Sequence, residues 1–320
     1  MLNIVYLQDS FDDFLKKENQ KIKSFNNNII SSQKEYNANF DSEYEKSIKD
    51  EQEKYKKFKE SVEKFWGVLD EVSNKTHIEY SDDKKEKTSI DFERGLISLE
   101  LLLEKNNGSI DVAKQKMTEL FNKIVDIKDD QNKFILDNQI VIDDNKFINK
   151  NNITKTSKKI IQSSKIISKD NFKGKDKKKR VKYKITIPLK TNHLSERAKK
   201  YEQLVIKNSK RFNLDPALVY AIIETESAFN PKAKSHIPAY GLMQLVPKTG
   251  ARDAHMHIYK KDKFITRWYL YNPENNIELG CAYLDKIRTV YFKDIKDDAK
   301  ALVCMIPSYN TGIGNVAKTL

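Results

Sequence analysis

The sequence contains no run of about 18 apolar residues, so it predicts no membrane-spanning helix. Of its 320 residues, 38% are hydrophobic and 33% are charged, which is typical of a helix-rich protein with long solvated surfaces. The first seven residues are largely apolar, but they are too few for a secretory signal, and no cysteine lies near them for a lipid anchor. From these residues alone we expect no export signal and no lipobox.

Cysteine is almost absent, which argues against a metal site built on thiolates. Cys281 and Cys304 have no cluster of histidines or further cysteines beside them, and a structural zinc site needs about four such ligands. Both fall on apolar faces of predicted helices, so we favour small core residues, with a disulfide between them as the alternative. The sequence therefore predicts no metal and no cofactor.

The net charge of +13 is unevenly distributed. Residues 1–153 carry a net charge of −6, residues 154–194 carry +12, and residues 195–320 carry +7. A basic segment favours an anionic partner, such as a membrane surface, an acidic cell-wall polymer or nucleic acid. Because residues 154–194 contain few aromatics for base stacking and no nucleic-acid-binding motif, we expect a cell-wall or membrane surface and no nucleic acid.

The N-terminal half alternates between helical and strand patterns. Residues 9–66 carry aromatics three or four positions apart, which indicates one or two long amphipathic helices. The apolar stripe comprises Tyr36, Phe40, Tyr44, Tyr55, Phe58, Val62 and Phe65. Alternating apolar residues over 90–92 and 97–101 flank Gly95 and predict a β-hairpin. Ser109 is expected to cap a helix that buries Val112, Met117, Leu120, Phe121 and Ile124.

Further strands follow before the C-terminal half begins. The short apolar runs 134–136 and 140–142 could each form one. Residues 169–180 are a charge run that predicts a solvated loop within a basic linker. Residues 181–187 alternate apolar and basic side chains up to Pro188, which indicates a strand. These patterns predict a small α+β domain.

From Ser195 onward the pattern is helical. Ser195 is expected to cap a helix that buries Tyr201, Leu204 and Val205 and ends near Asn213. A later helix begins at Asn272-Pro273, with the apolar stripe Ile277, Cys281, Leu284 and Ile287. The last predicted helix starts near Asp297 or Asp298 and carries Leu302 and Ile306 as far as Pro307, where proline should end it.

The helix predicted from Asp215 to Asn230 contains the most informative carboxylate. Asp215 is a good N-cap before Pro216, and Asn230-Pro231 should stop the helix. Its apolar arc consists of Leu218, Val219, Ile222, Ile223 and Phe229. At about 100° per residue, Glu226 falls within this arc and Glu224 on the opposite side. Burial would raise the pKa of Glu226. A glutamate at a helix end that simply reaches water is the structural alternative.

Three short motifs follow one another around this helix. They are Glu226-Ser227 with Asn230-Pro231 and Ser235; Gly241-Leu242-Met243-Gln244; and Tyr309-Asn310 with Gly312 and Gly314. Between the last two lie Asn272-Pro273, Asn276-Ile277, Gly280 and Tyr283-Leu284. As an ordered set they resemble the lytic transglycosylases of the soluble-lytic, lysozyme-like superfamily. Phe65-Trp66-Gly67, the 89–100 hairpin and residues 181–201 resemble the membrane-bound lytic murein transglycosylase C family.

The resemblance implies a fold and a domain plan. The fold class would be α+β, with a mainly α lysozyme-like C-terminal domain behind a small α+β domain with long N-terminal helices. We expect a helical extension over 1–60, a family-specific α+β domain with a basic linker over 61–190, and the catalytic domain over 191–320.

The resemblance also implies a reaction and the residues that perform it. Glu226 would act first as acid and then as base, cleaving the bond between N-acetylmuramic acid and N-acetylglucosamine to leave a 1,6-anhydro product. Ser235, Met243, Gln244 and Tyr309 would contact the glycan strand. Structural alternatives remain: Met243 as core, Ser227 as a helix buttress, and Asn310 with the glycines as a turn. Such a substrate implies the periplasm, with the outer membrane as a further expectation.

Two departures from the family pattern bear on activity. Pro307 stands two residues before Tyr309 and could shift that tyrosine. The sequence given ends at Leu320, where the family continues with helices that close the cleft, so the cleft is expected to be more open or the chain truncated. The alternatives are a muramidase, which would need a second carboxylate to activate water, and a wall-binding protein with impaired catalysis.

Overall fold

A computed structural model describes residues 52–105, 109–143, 146–147, 153–235 and 238–318, together with a few positions before residue 51. The chain divides into two units, Met1–Glu60 and Ser61–Leu320. The described residues of the first unit are helical. The predicted stripe residues Tyr36, Phe40 and Tyr44 lie outside the described residues. None of the described helices is both long and apolar enough to cross a membrane.

The second unit begins with helical residues 61–66 (α1) and then forms a five-stranded antiparallel sheet. Its strands are β1 (Thr76–Tyr80), β2 (Glu86–Asp91), β3 (Leu96–Glu104), β6 (Ile167–Lys173) and β7 (Lys179–Pro188), in the order β1-β2-β3-β7-β6. A separate pair consists of β4 (Val141–Asp143) and β5 (Lys146–Phe147). The predicted hairpin is confirmed: Ile90 pairs with Ile97, and Gly95 turns the chain with a φ of 66°.

One face of this sheet packs on two helices, α2 (Ile110–Val125) and α3 (Ile153–Ser163). Ser109 caps α2 as predicted, its hydroxyl accepting the Val112 amide proton at 3.2 Å. The buried side chains of α2 are Ala113, Met117, Leu120, Phe121, Ile124 and Val125. The prediction was wrong for Val112, which is 40% exposed because it lies outside the arc of the buried residues, whereas its neighbour Ala113 is fully buried.

The other face of the sheet carries a smaller cluster. Its buried members are Val62, Trp66, Leu69 and Leu102. Val62 and the half-buried Phe65 confirm part of the predicted stripe, whereas Tyr55 and Phe58 are exposed. Lys87 and Lys182 lie over the Trp66 ring, at 4.9 and 5.4 Å from its centroid.

The predictions between β3 and β7 were only partly right. Residues 141–143 form a strand, whereas Phe134 makes only an isolated bridge to Lys128 and residues 135–136 lie in a turn. The predicted loop over 169–180 is mostly strand, because β6 pairs with β7 from Ile167 to Lys173 and leaves only residues 174–178 as the connection. The residues of β6 are exposed or half-buried, as is usual for a polar edge strand. The basic segment is therefore not a free linker.

From His193 onward the regular secondary structure is helical, with loops between the helices. In order they are α4 (His193–Lys199), α5 (Glu202–Arg211), α6 (Pro216–Ser227), α7 (Arg252–Tyr259), α8 (Arg267–Tyr271), α9 (Pro273–Lys286), α10 (Asp298–Thr311) and α11 (Ile313–Ala317). Pro247–Ala251 and Ile287–Tyr291 form π-helical turns. Helix α9 lies in the middle and contacts α5, α7, α8 and α10. The α+β class is as predicted.

Three helix boundaries outside α6 differ from the predictions. Ser195 lies inside α4, which Asn192 precedes, and the chain breaks at Lys200–Tyr201 before α5. The break is stabilised because the Lys200 ammonium donates to the carbonyl oxygens of Phe134 and Ile135, at 2.7 and 2.9 Å. The third boundary concerns α10, which continues through Pro307 to Thr311.

Helix α10 also buries a different face from the one predicted. Leu302 and Ile306 are 41% and 38% exposed, whereas Ala301, Cys304, Met305 and Ser308 are buried. Asp297 caps the helix by accepting from the Lys300 amide at 2.9 Å. Cys281 and Cys304 are buried free thiols, so the favoured interpretation as small core residues is confirmed.

Candidate active site

Helix α6 carries Glu226 in its last turn. The Asp215 carboxylate caps the helix start by accepting the Ala217 amide proton at 2.8 Å, and Pro216 follows it as predicted. The helix ends at Ser227, three residues before the predicted end, because Ala228 and Phe229 adopt left-handed conformations with φ of 48° and 60°. This turn directs Phe229 into the core, where it is 2% exposed.

The environment of Glu226 agrees with the helical-wheel argument. Glu226 is half-buried, whereas Glu224 is exposed on the opposite side of α6. Burial raises the pKa of the Glu226 carboxyl, and the charge of Lys75 opposes this with a smaller effect. A carboxyl with a raised pKa retains its proton at a pH where an ordinary glutamate has lost it. The site therefore contains a carboxyl that keeps its proton to higher pH than an ordinary glutamate does.

Tyr309 of α10 lies beside this carboxyl. Burial and, to a lesser degree, the charge of Glu226 raise the pKa of the Tyr309 phenol well above its ordinary value. The phenol donates a hydrogen bond to the Met243 carbonyl oxygen at 2.6 Å, and its ring centroid is 5.7 Å from that of Tyr283. Pro307 therefore leaves Tyr309 within a continuous helix, in contact with the Gly241–Gln244 loop.

The loop Gly241–Gln244 is held rigidly between α6 and α9. The Ser227 hydroxyl lies 2.8 Å from the Leu242 carbonyl oxygen and 3.0 Å from that of Ile223. Gly241 has a φ of 78°, and a β-carbon there would lie 2.2 Å from the Leu270 carbonyl oxygen, so only glycine fits. Ser227 thus buttresses both the helix and the loop, which was one of the predicted alternatives.

Asn276 of α9 is the polar centre of this arrangement. Its side chain is fully buried. Its Oδ1 accepts the Met243 amide proton at 2.8 Å, and its Nδ2 donates to the carbonyl oxygens of Tyr240 and Leu270 at 2.9 and 2.8 Å. One amide thus satisfies three main-chain groups that no water reaches. The motif analysis had given Asn276 no role, although its place one turn after the Asn272 cap marks it as a core-facing residue.

Met243 and Gln244 face different surroundings. The Met243 side chain is 0% exposed and packs on α9 at Gly280, where a β-carbon would lie 2.2 Å from its Sδ. It thus fits the predicted alternative of a core residue, and its place on the floor of the cleft stays a prediction. Gln244 has a φ of 47° and donates from Nε2 to the Gly241 carbonyl oxygen at 2.8 Å. Its Oε1 is buried without a hydrogen-bond partner among the described residues.

Ser235 lies in the loop between Asn230-Pro231 and Gly241. Its amide donates to the Ala239 carbonyl oxygen at 3.1 Å, and its Oγ accepts the Ala239 amide proton at 3.2 Å. These bonds shape a tight loop, and the predicted contact of Ser235 with a glycan stays a prediction. Asn310 lies within α10 and Gly314 within α11, so of the predicted turn only Gly312 reverses the chain, with a φ of 89°.

Two residues near Glu226 had no sequence signal. The Asn74 side-chain amide donates to the Glu226 main-chain carbonyl oxygen at 2.5 Å, and Lys75 contributes the charge described above. They are about 150 positions away in the chain, so only the folded structure brings them to the site. Among the described residues no group of three histidine, cysteine or acidic side chains could hold a metal ion.

Comparisons with known proteins agree with these observations. The family described as "Transglycosylase SLT domain" matches residues 203–320, and "Membrane-bound lytic murein transglycosylase C, N-terminal domain" matches residues 44–200. A membrane-bound lytic murein transglycosylase C from Klebsiella pneumoniae is 30% identical over 273 residues, covering 82% of this chain and 74% of that protein. One from Glaesserella parasuis is 30% identical over 266 residues, covering 82% and 72%.

The similar solved structures match a smaller part of the chain. An inactive mutant of the lytic transglycosylase Slt from Pseudomonas aeruginosa is 30% identical with a TM-score of 0.31, covering 37% of this chain and 17% of that one. The 70-kDa soluble lytic transglycosylase from Escherichia coli is 28% identical with a TM-score of 0.30, covering 37% and 18%. The chain thus spans less than a fifth of those solved chains. On the full-length relatives and the two family matches, the chain is a lytic murein transglycosylase and belongs to the membrane-bound lytic murein transglycosylase C family.

Proposed function

We propose that the chain cleaves the MurNAc-β-1,4-GlcNAc bond of peptidoglycan without water, with Glu226 as the only acid and base. The observation that supports this most directly is a half-buried carboxyl with a raised pKa beside Tyr309. A general acid must hold its proton at working pH and lie where it can transfer it.

The proposed reaction consists of two proton transfers through the Glu226 carboxyl. Protonated Glu226 gives its proton to the glycosidic oxygen while the bond from that oxygen to muramoyl C1 breaks, through an oxocarbenium-like transition state. The muramoyl C6 hydroxyl then bonds to C1, and its proton passes to the Glu226 carboxylate. The product is 1,6-anhydroMurNAc and the acid is regenerated. Lys75 would stabilise the carboxylate between the two transfers.

The other predicted residues would bind the glycan strand. Gln244 is half-buried, and its Oε1 is buried without a partner among the described residues. A rotation of the side chain toward the cleft would let a sugar N–H or O–H satisfy this oxygen. The Tyr309 ring would line the cleft, held by its bond to Met243. Ser235 would contribute a hydrogen bond from its loop, and Met243 would support the cleft floor.

Product analysis together with a variant tests this proposal. Glu226→Gln should lower kcat at least about 100-fold, since general acid–base catalysis contributes about 10²–10⁴. Glu224→Gln, on the exposed side of the same helix, is the matched control and should keep the wild-type rate. The wild-type product should be the anhydro form. Reducing-end muramic acid would instead indicate a muramidase, and an inactive wild type would indicate a binding protein.

A second proposal concerns the basic segment and the cellular location. Exposed lysines lie on β6, on the loop after it and at the start of β7; they are Lys169, Lys173, Lys177, Lys178 and Lys179. Such a surface attracts an anionic lipid surface or acidic wall polymer. We place the protein in the periplasm, because its substrate lies there, and propose that this face contacts the membrane.

Vesicle co-sedimentation tests the membrane contact. Binding to vesicles that contain about 30% anionic lipid should exceed binding to neutral vesicles, and it should fall as salt is added. Replacing Lys173, Lys177 and Lys178 with glutamine should weaken it. Equal binding to neutral vesicles would contradict the proposal.

We also propose the domain limits 61–190 for the α+β domain and 191–320 for the catalytic domain. The family matches to residues 44–200 and 203–320 support a division near this point.

A further inference from the structure

Two hydrogen bonds link the end of helix α6 to the α+β domain, one directly and one through Arg197 of α4. The last carbonyl groups of a helix have no intrahelical donor. The carbonyl oxygen of Glu226 accepts from Asn74 Nδ2 at 2.5 Å, and that of Ala228 accepts from Arg197 Nε at 3.0 Å. Asn74 precedes β1, so one of these bonds comes directly from the α+β domain. The main chain of Glu226 is therefore fixed by a residue outside the helical domain.

Arg197 of α4 connects the same helix end to the sheet. Its side chain is 1% exposed. Its guanidinium donates to Gln139 Oε1 at 2.6 Å and to the Phe92 carbonyl oxygen at 2.5 Å. Burial lowers the pKa of Arg197 to about 10, so it remains a cation at neutral pH. A cation beside the C-terminus of α6 also interacts favourably with the helix dipole.

Packing reinforces these bonds. Ala228, in its left-handed conformation, is 1% exposed and belongs to the apolar core between the sheet and α2, not to the core of the helical domain. Burying this residue in the α+β core fixes the turn that follows Glu226, because protein cores are close-packed and transmit displacement. The two residues after Glu226 in the chain are thus Ser227, which holds the Gly241–Gln244 loop, and Ala228, which enters the other domain.

We propose that the α+β domain is a positioning element of the active site, which holds Glu226 in its productive position through Asn74 and Arg197. This inference rests on the proposed role of Glu226. Asn74 and Arg197 act through the main chain, so they are positioning residues without contact with the substrate. Loss of either bond should let the last turn of α6 shift, and a displacement near 1 Å can cost about 100-fold in rate.

Kinetics of Asn74→Leu test the proposal, because leucine has a similar volume but no donor. We expect kcat to fall about tenfold or more, since small displacements of a catalytic group are costly, while KM changes less than about twofold, since the glycan-binding residues stay in place. Asn74→Gln, which keeps the amide donor, should recover part of the rate. Asn192→Ala removes an exposed asparagine whose amide contacts Glu196 at 3.4 Å, and it should match the wild type.

The pH profile gives a readout that loss of stability alone would not move. Among the described residues, Lys75, from the segment that carries Asn74, and Tyr309 of α10 interact electrostatically with Glu226. Lys75 is itself paired with Glu93 at 2.5 Å. Tyr309 stays neutral over the working range. Moving the 74–75 segment alters the distance from Lys75 to the carboxyl, so the basic limb of kcat/KM should shift in Asn74→Leu.

Arg197→Lys is the second variant. Lysine keeps the positive charge but cannot reproduce the guanidinium hydrogen bonds to Ala228, Gln139 and Phe92. It should lower kcat at least as much as Asn74→Leu. An unchanged kcat and pH profile in Asn74→Leu would overturn the proposal, as would an equal loss in Asn192→Ala. If Glu226→Gln retains full activity, the proposed function fails. If Glu226→Gln is inactive and Asn74→Leu is fully active, only the positioning role fails.

Discussion

Each of the two domains partly or fully buries a glutamate, Glu100 in the sheet and Glu226 on α6, and the pKa values of the two shift in opposite directions. Glu100 of β3 is 4% exposed, and burial alone would raise its pKa. The ammonium groups of Lys87, at 2.8 Å, and Lys182 outweigh this and hold the pKa of Glu100 below its ordinary value. Glu226 is less deeply buried, yet burial raises its pKa because the charge of Lys75 is a smaller, opposing effect.

The difference shows that close cations, and not burial alone, decide the charge of a buried carboxyl. In the sheet, ion pairs keep Glu100 ionised, and Lys87 also contacts Asp70 at 2.5 Å. In the helical domain, the neighbours of Glu226 leave it able to keep its proton. One glutamate stabilises the sheet and the other can donate a proton. Changing the partners of either one tests this contrast.

The largest expected effect on stability follows replacement of Glu100, the glutamate that the ion pairs keep ionised. Glu100→Ala leaves Lys87 and Lys182 without their shared carboxylate, and breaking a buried ion pair costs about 3–5 kcal/mol. Urea denaturation should show this loss in the free energy of unfolding. Glu104→Ala changes an exposed glutamate on the same strand and should cost well under about 1 kcal/mol. Equal stability of the two variants would show that the ion pairs of Glu100 contribute little.

The next effect concerns the buried amide that holds the loop beside Glu226. Asn276→Ala removes the hydrogen-bond partner of the Met243 amide and the Asn276 donor to the Leu270 carbonyl, while the Tyr240 carbonyl keeps the Leu245 amide at 3.2 Å. Each buried group left unpaired costs about 1–3 kcal/mol. We expect a loss of at least about 2 kcal/mol and a lower kcat. Asn275→Ala, which loses one 3.3 Å contact with the Tyr269 carbonyl oxygen, is the neighbouring control. Thermal unfolding and kinetics of both variants would reveal whether Asn276 is dispensable.

A smaller effect is expected when the cation near Glu226 is removed. Lys75→Met removes the cation that lowers the pKa of Glu226, so the protonated acid should persist to higher pH. The basic limb of the kcat/KM profile is expected to move to higher pH. Lys199→Met, on an exposed position of α4, should leave the profile in place. A shift to lower pH would mean that Lys75 does not act on Glu226 as described.

The smallest effect is on the pH dependence of stability. Because the pKa of Glu226 is higher in the folded state than in the unfolded state, ionisation opposes folding as pH rises through the interval between the two. Above that interval Glu226→Gln should therefore have a higher midpoint of thermal unfolding than the wild type, and this gain should vanish in acid below the ordinary glutamate pKa. A lower midpoint at neutral pH would reverse the assigned direction of the shift.

The sequence predicted the elements whose signals are local. Asp215, Ser109, Asn272 and Asp297 each cap a helix as expected, since a cap depends on the next few residues alone. Strand β7 and the hairpin at Gly95 also followed from alternation and turn chemistry. For the site, the position of Glu226 on α6 and the direction of its pKa shift were predictable from helical geometry.

Other features depend on distant partners and could not be predicted in this way. Helix α10 passes through Pro307 because tertiary packing of its Ala301–Cys304–Met305 face outweighs one missing hydrogen bond. Strand β6 forms in a charged segment because β7 offers it main-chain partners. The contact of Asn74 with the Glu226 carbonyl requires the two domains to be docked.

Site-resolved titration of the carboxyl carbons by NMR, on the wild-type protein without substrate, tests the central claim most directly. The account predicts that Glu226 titrates above the ordinary glutamate pKa and Glu100 below it. A Glu226 that titrates at or below its ordinary value would contradict the account, because the proposed acid would then already be ionised when the glycan binds.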